Sequence, residues 1–155
     1  MERYLVLSTC IYKSPFGEIG LLKQRDNLLS ISFVDTAFKH LEVVNKPKEF
    51  KEVVKQLNEY FYEGRKRFEI QYRLISSPFR LSVYEEMLKI SYGSTISYSD
   101  LAIKAGKPKA FRAVGTACGK NPLPLIIPCH RVHGKSSLGG VTGGLDIRKF
   151  LLRTQ

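Results

Sequence analysis

The sequence predicts a mixed α/β (α+β) protein, in which a small N-terminal antiparallel sheet with a helix packs on a mostly helical C-terminal domain. Short apolar runs separated by turn residues fill the first third, and helical periodicity prevails after residue 78. A length of 155 residues suits one compact domain or two small ones. Because Ser76-Ser77-Pro78 is the best boundary, we expect an N-terminal α/β domain at 1–75 and a C-terminal domain at 76–155.

The first domain is predicted to contain strands followed by a helix. A turn is expected at Ser14-Pro15-Phe16-Gly17. Apolar residues between Lys48 and Glu63 recur at i, i+3, i+4 and i+7, which predicts an amphipathic helix that Gly64 ends. Short apolar runs predict strands at 4–7, 10–12, 18–22, 28–34 and 68–74.

The second domain is predicted to hold three helices in succession. Apolar side chains recur there at helical spacing, and serine, glycine and proline mark helix starts and stops. The last two helices, over residues 97–118, have the layout of a helix-turn-helix, although many all-helical domains contain such pairs. The predicted helices are Phe79–Ile90, Tyr98–Ala105 capped by Ser97 and ended by Gly106, and a third from Pro108 to about Cys118.

Positive charge is concentrated in the second half of the chain. The formal net charge is +11, of which residues 1–78 carry +3 and residues 79–155 carry +8. No acidic residue occurs between Asp100 and Asp146, whereas seven lysines and arginines do. Such a field favours a polyanion, with nucleic acid first and an anionic membrane surface second, although many basic proteins bind nothing acidic.

Composition argues against several other classes of protein. No apolar run approaches the ~20 residues of a membrane helix, and no secretory signal is visible. We therefore expect an intracellular, cytoplasmic protein that makes no membrane contact. Three cysteines at wide spacing fit neither a disulfide framework nor a zinc motif. No catalytic metal and no cofactor are expected.

The stretch from Asn121 to Val132 contains the most reactive pair of side chains. Three prolines among apolar residues predict a rigid, buried segment that ends on Cys129 and His130. The thiolate is the nucleophilic form of cysteine, and neighbouring positive charge or a base favours it. His130, directly or through one water, can accept the proton, and Asn121 can orient that water or the local backbone. Because buried cysteines are usually inert, the pair alone leaves a structural role open.

This segment, Pro128-Cys129-His130-Arg131-Val132 after Asn121-Pro122, resembles the active-site signature of the O6-alkylguanine-DNA alkyltransferases, the methylated-DNA–protein-cysteine methyltransferases. The likeness covers residues 76–153, in family order and near-family spacing. The first 75 residues fit the variable N-terminal domain of that family in size and style only. The other matching segments are 79–90, Gly93, Ile96-Ser97-Tyr98, Arg112-Ala113-Val114-Gly115 and Gly143-Gly144-Leu145.

The resemblance implies DNA repair by direct reversal of damage, in an irreversible reaction that each molecule performs once. An alkyl group, typically methyl, would pass from O6-alkylguanine, and by extension O4-alkylthymine, in double-stranded DNA to Cys129. The damaged base would be flipped out of the duplex from the minor groove. His130 would act as a water-mediated base and Asn121 would hold the turn. Tyr98 would rotate the phosphate and protonate the leaving group. The protein is expected to be a monomer.

The resemblance also implies which residues meet DNA and the flipped base. Arg112 would be the finger that fills the space left by the base. Small side chains on the second helix suit the minor groove, and phosphate contacts would supply most of the affinity. The backbone carbonyls of Cys129 and Val132 would face the exocyclic amine of guanine. The expected DNA-binding residues are Tyr98, Lys109, Arg112, Ala113, Gly115, Thr116 and Arg131, and the expected base-pocket residues are Cys118, Val132, Val141 and Thr142.

Three positions depart from the family pattern. Val141 stands where an aromatic residue is common, which thins one wall of the pocket. Gln155 stands where a glutamate usually orients the histidine. It can accept a hydrogen bond from His130, but it lacks the charge that would stabilise imidazolium. Phe111 is bulkier than the alanine often found there, and it belongs either to the core or to the surface that presses on the groove.

Two other functions stay open at this point. A non-catalytic binder or regulator of alkylated DNA would use the same helix pair, although relatives of that kind lack the nucleophilic cysteine. A Cys-His hydrolase would need a separately placed histidine and an oxyanion loop, and neither is evident in the sequence. Binding of alkylated DNA without transfer would favour the first, and repeated turnover of an ester would favour the second.

Overall fold

The computed structural model describes residues 7–33, 43–134 and 150–152. It divides the chain into two compact units, Met1–Leu74 and Ile75–Gln155. The first unit is built on a sheet and the second contains most of the helices, so the predicted mixed α/β class is confirmed.

The sheet of the first unit has four strands in the order β3-β2-β1-β4. β1 (Leu7–Ser14), β2 (Gly17–Gln24) and β3 (Asn27–Ser32) form an antiparallel meander. β4 (Val43–Asn45) pairs with the other edge of β1 in parallel orientation, which the sequence did not predict. Alternation along β1 places Ser8, Cys10 and Tyr12 on its buried side.

Two tight turns join the three antiparallel strands. In the first, Ser14 Oγ donates to the carbonyl of Gly17 (2.6 Å) and accepts from the N–H of Phe16 (3.3 Å). Gly17 has a φ of +124°, a conformation open to glycine because it lacks a Cβ. The second turn contains Arg25 with a φ of +54°. These turns bring the strands into the register that buries the apolar side chains of β2 and β3.

The amphipathic helix of the first unit is α1 (Lys51–Tyr62), which follows a 3-10 turn at Pro47–Phe50. Its buried side chains recur at helical spacing, as the sequence predicts, and Gly64 (φ +79°) lies just beyond its end. The Tyr12 hydroxyl donates to Asn58 Oδ1 at 2.8 Å, which links β1 to the helix. The buried side chains are Val53, Gln56, Leu57 and Tyr60.

The strand predicted at 68–74 is wrong. Among the described residues, this segment makes a single bridge, between Tyr72 and Leu28. The Leu28 N–H donates to the Gln71 carbonyl, and the Leu28 carbonyl accepts from the Arg73 N–H. The backbone of Glu69 is satisfied by a side chain instead, because Gln56 accepts from its N–H (2.8 Å) and donates to its carbonyl (3.0 Å). A side-chain amide therefore takes the place of a neighbouring strand.

The second unit contains three helices: α2 (Pro78–Met87), α3 (Tyr98–Lys104) and α4 (Phe111–Gly119). Ser77 Oγ caps α2 by accepting from an N–H of its first turn, and Ser97 Oγ caps α3 by accepting from the Asp100 N–H (3.0 Å). The Ser97 cap is the one that the sequence predicts. Both caps satisfy backbone donors that an isolated helix start leaves unbonded.

The turn between α3 and α4 is longer than predicted. Gly106 (φ +84°) ends α3 as expected, but α4 begins at Phe111 and not near Pro108. The intervening backbone closes on itself, because the Lys107 N–H donates to the Ala102 carbonyl (3.0 Å) and the Ala110 N–H to the Lys107 carbonyl (2.9 Å). Pro108 thus lies in a local turn, which suits its fixed φ equally well.

A short parallel pair, β5 (Ile96–Ser97) with β6 (Val132–His133), joins the start of α3 to the segment that follows Cys129. Within the described ranges, no helix has the length and apolar character needed to cross a bilayer. The core of the second unit includes Val83, Tyr84, Met87, Leu101, Ala102, Val114, Ala117, Cys118, Leu123 and Ile127.

Candidate active site and DNA-binding surface

The proline-rich turn before Cys129 is held by the buried side chain of Asn121. Its Nδ2 donates to the Ile127 carbonyl (2.8 Å), and its Oδ1 accepts from the Leu123 N–H (3.0 Å). The Ile127 N–H donates in turn to the Leu123 carbonyl (2.9 Å). One side chain therefore joins both ends of the turn, and the role of Asn121 in positioning the active site stays a prediction.

The same turn contains an unusual backbone conformation at Leu125. Its φ is +78°, which a side chain with a Cβ rarely adopts, and the residue is buried. Such a conformation costs about 1–3 kcal/mol and persists only where its surroundings determine it. The flanking prolines and the Asn121 hydrogen bonds supply those constraints. Sequence analysis missed Leu125, since nothing in its type signals a left-handed position.

Cys129 begins a single 3-10 turn, Cys129–Arg131, directly after this segment. The Cys129 N–H donates to the Ile127 carbonyl (2.8 Å), so the carbonyl that Asn121 bonds also fixes the backbone of the cysteine. Cys129 and His130 are each 2% exposed. Cys129 is a reduced thiol and not part of a disulfide. The cysteine is thus held by a rigid backbone segment, and its thiol lies below the protein surface.

The carbonyl of Cys129 accepts a hydrogen bond from the N–H of Val132, which closes the 3-10 turn. Val132 itself is fully buried and pairs with Ile96 across β5 and β6. Its position next to the cysteine is therefore fixed by the sheet as well as by the turn.

The prediction that Arg131 contacts DNA does not fit the structure. The residue is only 7% exposed, and its Nη1 donates to the Ile90 carbonyl at 3.0 Å. The guanidinium also lies over the ring of Tyr92, 5.5 Å from the centroid. Arg131 therefore ties the active-site turn to the segment after α2, and we assign it a positioning role.

Tyr84 is a buried neighbour of the cysteines that sequence analysis missed. Its hydroxyl donates to the Ala117 carbonyl in α4 at 2.9 Å. Burial raises its pKa to about 12, Arg80 opposes that shift, and the negative charge that Cys118 and Cys129 carry when ionised adds to it. Both thiols are therefore within electrostatic reach of this phenol. Sequence analysis predicted the helix that contains Tyr84 but did not single out this residue or its contact with α4.

Cys118, predicted in the base pocket, is completely buried on the inner side of α4. It stays a predicted pocket residue. The other predicted pocket residues, Val141 and Thr142, and the position of Gln155 lie outside the described residues. Among the residues that are described, no cluster of histidine, cysteine and acidic side chains could hold a metal ion.

Tyr98 and Gly115 form one of the contacts between α3 and α4. A Cβ added to Gly115 would lie 3.6 Å from Cε2 of Tyr98, so the ring packs over the backbone of α4. Both residues are partly exposed. The tyrosine therefore occupies the rim of the helix pair, with its ring held in place by a glycine.

The outer side of α4 and the turn before it form a basic, solvent-exposed surface. Four of the predicted DNA-binding residues are exposed, as contact with DNA requires: Lys109, Arg112, Ala113 and Thr116. The Thr116 hydroxyl donates to the Arg112 carbonyl at 3.2 Å. Phe111 is 45% exposed, so of its two possible positions the structure supports the surface and not the core. Exposed lysines before and after the helix extend the surface: Lys104, Lys107 and Lys120.

The second unit thus combines a buried cysteine-histidine pair with a basic helix surface, which is the arrangement of a DNA-binding protein with a reactive thiol. Family comparison divides the chain in the same way. Residues 78–155 match the DNA binding domain of 6-O-methylguanine DNA methyltransferase, and residues 9–74 match its ribonuclease-like domain.

Individual relatives match along nearly the whole chain. The methylated-DNA–protein-cysteine methyltransferase of Methanosarcina barkeri is 37% identical over 94% of this chain and 94% of its own. The constitutive enzyme of that name from Bacillus subtilis is 36% identical over 92% of each chain. The crystal structure of Mycobacterium tuberculosis OGT in complex with DNA has a TM-score of 0.87 at 34% identity, covering 96% of this chain and 91% of that one.

The chain belongs to the 6-O-methylguanine DNA methyltransferase family. The family that the sequence predicts is therefore confirmed, and with it the predicted class of activity, DNA repair by alkyl transfer to a protein cysteine.

Proposed function

We propose that this protein repairs O6-alkylguanine in double-stranded DNA by moving the alkyl group onto the sulfur of Cys129. The observation that carries the proposal is the clamped turn of Asn121 to Cys129, which holds a buried thiol next to His130 in a family of DNA methyltransferases. A nucleophile held in one position reacts faster than a mobile one, because its orientation is set before the substrate arrives.

The reaction is a single substitution at the alkyl carbon. The Cys129 thiol gives its proton to His130 through a water, and the thiolate attacks the carbon bonded to O6. The carbon–sulfur bond forms as the carbon–oxygen bond breaks, and guanine leaves with the electron pair on O6. Tyr98 supplies a proton to the leaving base. The thioether is stable, so each molecule reacts once. O4-alkylthymine offers the same carbon–oxygen bond and is a second substrate of the same chemistry.

DNA binding falls to the exposed side of α4. Arg112 enters the base stack and fills the gap that the flipped nucleotide leaves, while Lys109 and Thr116 lie towards the phosphates. Ala113 and Gly115 have no long side chain to hold the helix away from the floor of the minor groove. A flipped base is required because the target atom is inaccessible inside the stack.

The remaining site assignments are proposals on the sequence. The base pocket is lined by Cys118, Val132, Val141 and Thr142. Gln155 accepts a hydrogen bond from His130. We further propose that the domains are 1–75 and 76–155, that the protein works as a monomer, and that it acts in the cytoplasm with access to chromosomal DNA.

Intact-mass measurement tests the central proposal. The protein is incubated with a duplex that contains one O6-methylguanine, and we expect a gain of one methyl group that peptide mapping places on Cys129. Cys129→Ser should show no gain, whereas Cys10→Ser should react like the wild type, because Cys10 is a buried thiol of the first unit. A gain that persists in Cys129→Ser would contradict the assignment. Tight binding of the damaged duplex without any gain would indicate a non-catalytic binder.

A further inference from the structure

Phe111 is an exposed aromatic side chain at the first position of α4. Three other apolar residues of this helix are fully buried: Val114, Ala117 and Cys118. Phe111, in contrast, is 45% exposed. A single exposed apolar residue is common on protein surfaces and proves nothing alone. The neighbours of Phe111 are what give its exposure a meaning.

Phe111 lies among the groups that the proposed function assigns to DNA. The guanidinium of Arg112 is 6.0 Å from the centroid of its ring, within the range of a cation–π contact. Gly115 is one helical turn further along the same side of α4, and the ring of Tyr98 packs on that glycine. Lys109 is exposed two residues earlier. The aromatic ring therefore lies within the basic surface, next to the proposed finger.

We propose that Phe111 and Arg112 form a two-residue wedge, in which Arg112 fills the gap and the Phe111 ring packs on the base step beside it. This inference rests on the proposed function. Proteins of the minor groove insert apolar side chains to unstack and kink base steps, which lowers the cost of removing a base. An aromatic face stacks on any base, so it adds affinity without sequence preference. Damage can occur in any sequence, and such a contact suits it.

The ring also restricts Arg112. An arginine side chain loses considerable rotamer entropy when it is ordered, and a cation–π contact with Phe111 limits its freedom before DNA arrives. Phe111 would thus contribute twice, by contact with the base step and by holding the neighbouring finger. Because neither effect involves a phosphate, the wedge should act on affinity without releasing counterions.

The first experiment compares two substrates of the transfer reaction. Rate constants of transfer are measured with an O6-methylguanine duplex and with free O6-benzylguanine, which needs no base flipping. For each variant, the rate constant with the duplex is divided by the rate constant with the free base. We expect the ratio to fall about tenfold in Phe111→Ala, less in Phe111→Leu, and to stay within about twofold in Phe111→Tyr, which keeps the ring. Leu88→Ala is the matched control, since Leu88 is 40% exposed in the same unit. An unchanged ratio in Phe111→Ala overturns the inference.

The second experiment separates stacking from charge, in a Cys129→Ser background that cannot react. Phe111→Ala should weaken duplex binding about tenfold at every salt concentration, and should reduce the fluorescence rise of a 2-aminopurine placed beside the damaged base. Lys109→Ala should instead lower the slope of log affinity against log salt by about one. A slope change of that size in Phe111→Ala, or unchanged affinity and fluorescence, overturns the wedge. If the wild type transfers no alkyl group, the proposed function fails while these binding measurements still decide the role of Phe111.

Discussion

Replacing Asn121 with alanine should uncouple the active-site turn from Cys129. The amide side chain makes two buried hydrogen bonds, to the Leu123 N–H and to the Ile127 carbonyl. Alanine removes both partners and adds none. The Ile127 carbonyl keeps the bond from the Cys129 N–H, but the Leu123 N–H is left without the side-chain oxygen that it bonds in the wild type.

The expected loss of stability follows from these two bonds. A buried donor left unsatisfied costs about 1–3 kcal/mol, and loss of one of two bonds to a carbonyl costs about 0.5–1.5 kcal/mol. The free energy of unfolding of the second unit should therefore fall by about 1.5–4.5 kcal/mol. The positive φ of Leu125 adds to the effect on geometry, because the turn can relax once the clamp is gone. Since a displacement of about 1 Å can cost 100-fold in rate, we expect transfer to slow about 10- to 100-fold.

The chain provides a matched control in Gln56. It is buried in the first unit, and its side-chain amide bonds the N–H and the carbonyl of Glu69 in the same way, with a further bond to Glu52. Gln56→Ala should thus lose comparable stability. Denaturant unfolding and amide exchange at Leu123 are measured for both variants, and single-turnover transfer is measured where both are folded.

The two variants must differ in rate if the reasoning is correct. We expect fast exchange at Leu123 and slow transfer in Asn121→Ala, and near wild-type values of both in Gln56→Ala. Equal transfer rates in the two variants, at equal loss of stability, would mean that Asn121 stabilises the unit without positioning the cysteine. A stability loss below about 0.5 kcal/mol in Asn121→Ala would show that the turn keeps its shape by other means.

Three further variants test other parts of the second unit. Arg131→Met keeps the length of the side chain but removes its hydrogen bond to a carbonyl, so unfolding should require about 1.5–3 kcal/mol less, while the salt dependence of duplex binding stays as in the wild type; a slope reduced by about one would restore Arg131 as a phosphate contact. Gly115→Ala places its Cβ 3.6 Å from Tyr98, an ordinary contact, so the gain in helix propensity should stabilise the protein by up to about 1 kcal/mol, and a clear destabilisation in denaturant unfolding would refute that packing. Burial holds the pKa of Tyr84 at about 12, above the ordinary value of 10.0, so the folded protein keeps a proton that the unfolded chain loses; stability is complete below pH 10 and falls as the pH rises towards 12. Tyr84→Phe should flatten this alkaline decline in unfolding titrations, with Tyr12, whose pKa is also raised to about 12, maintaining the remainder, and an unchanged decline would disprove the assignment.

Local signals in the sequence were enough to predict most of the helices and strands. Ser97 caps α3 because its hydroxyl needs only a neighbour three residues away, and Gly64 and Gly106 take the positive φ that suits a helix end. Such features depend on a few adjacent residues, so sequence spacing reveals them. Cys129 and His130 are adjacent in the chain and stand out in the sequence, but the pair alone left a structural role open, and the resemblance of the surrounding segment to a known family singled it out as the predicted reactive pair.

Features that depend on distant partners could not be predicted. The segment 68–74 has the composition of a strand, yet the Gln56 side chain, 13 residues before Glu69, bonds the backbone N–H and carbonyl of that residue. Arg131 was predicted from the resemblance to contact DNA, but its guanidinium donates a hydrogen bond to the Ile90 carbonyl, 41 residues earlier. Leu125 differs from these two cases, because nearby residues, the flanking prolines and Asn121, hold its positive φ, yet its residue type gives no signal of that conformation. For the segment 68–74 and for Arg131, the decisive contact is made by a residue that is distant in the sequence.

The burial of Cys129 has a consequence for how its thiol is protected from side reactions before it meets damaged DNA. A protein that reacts once is lost if its sulfur meets an oxidant or a small soluble electrophile before it meets damage. With only 2% of the residue exposed, we expect such reagents to reach the sulfur slowly, whereas a substrate that is bound and oriented would be brought to it. The same enclosure that makes the thiol appear inert would then act as a filter, which keeps the single reaction for the substrate that binds the proposed DNA-binding surface.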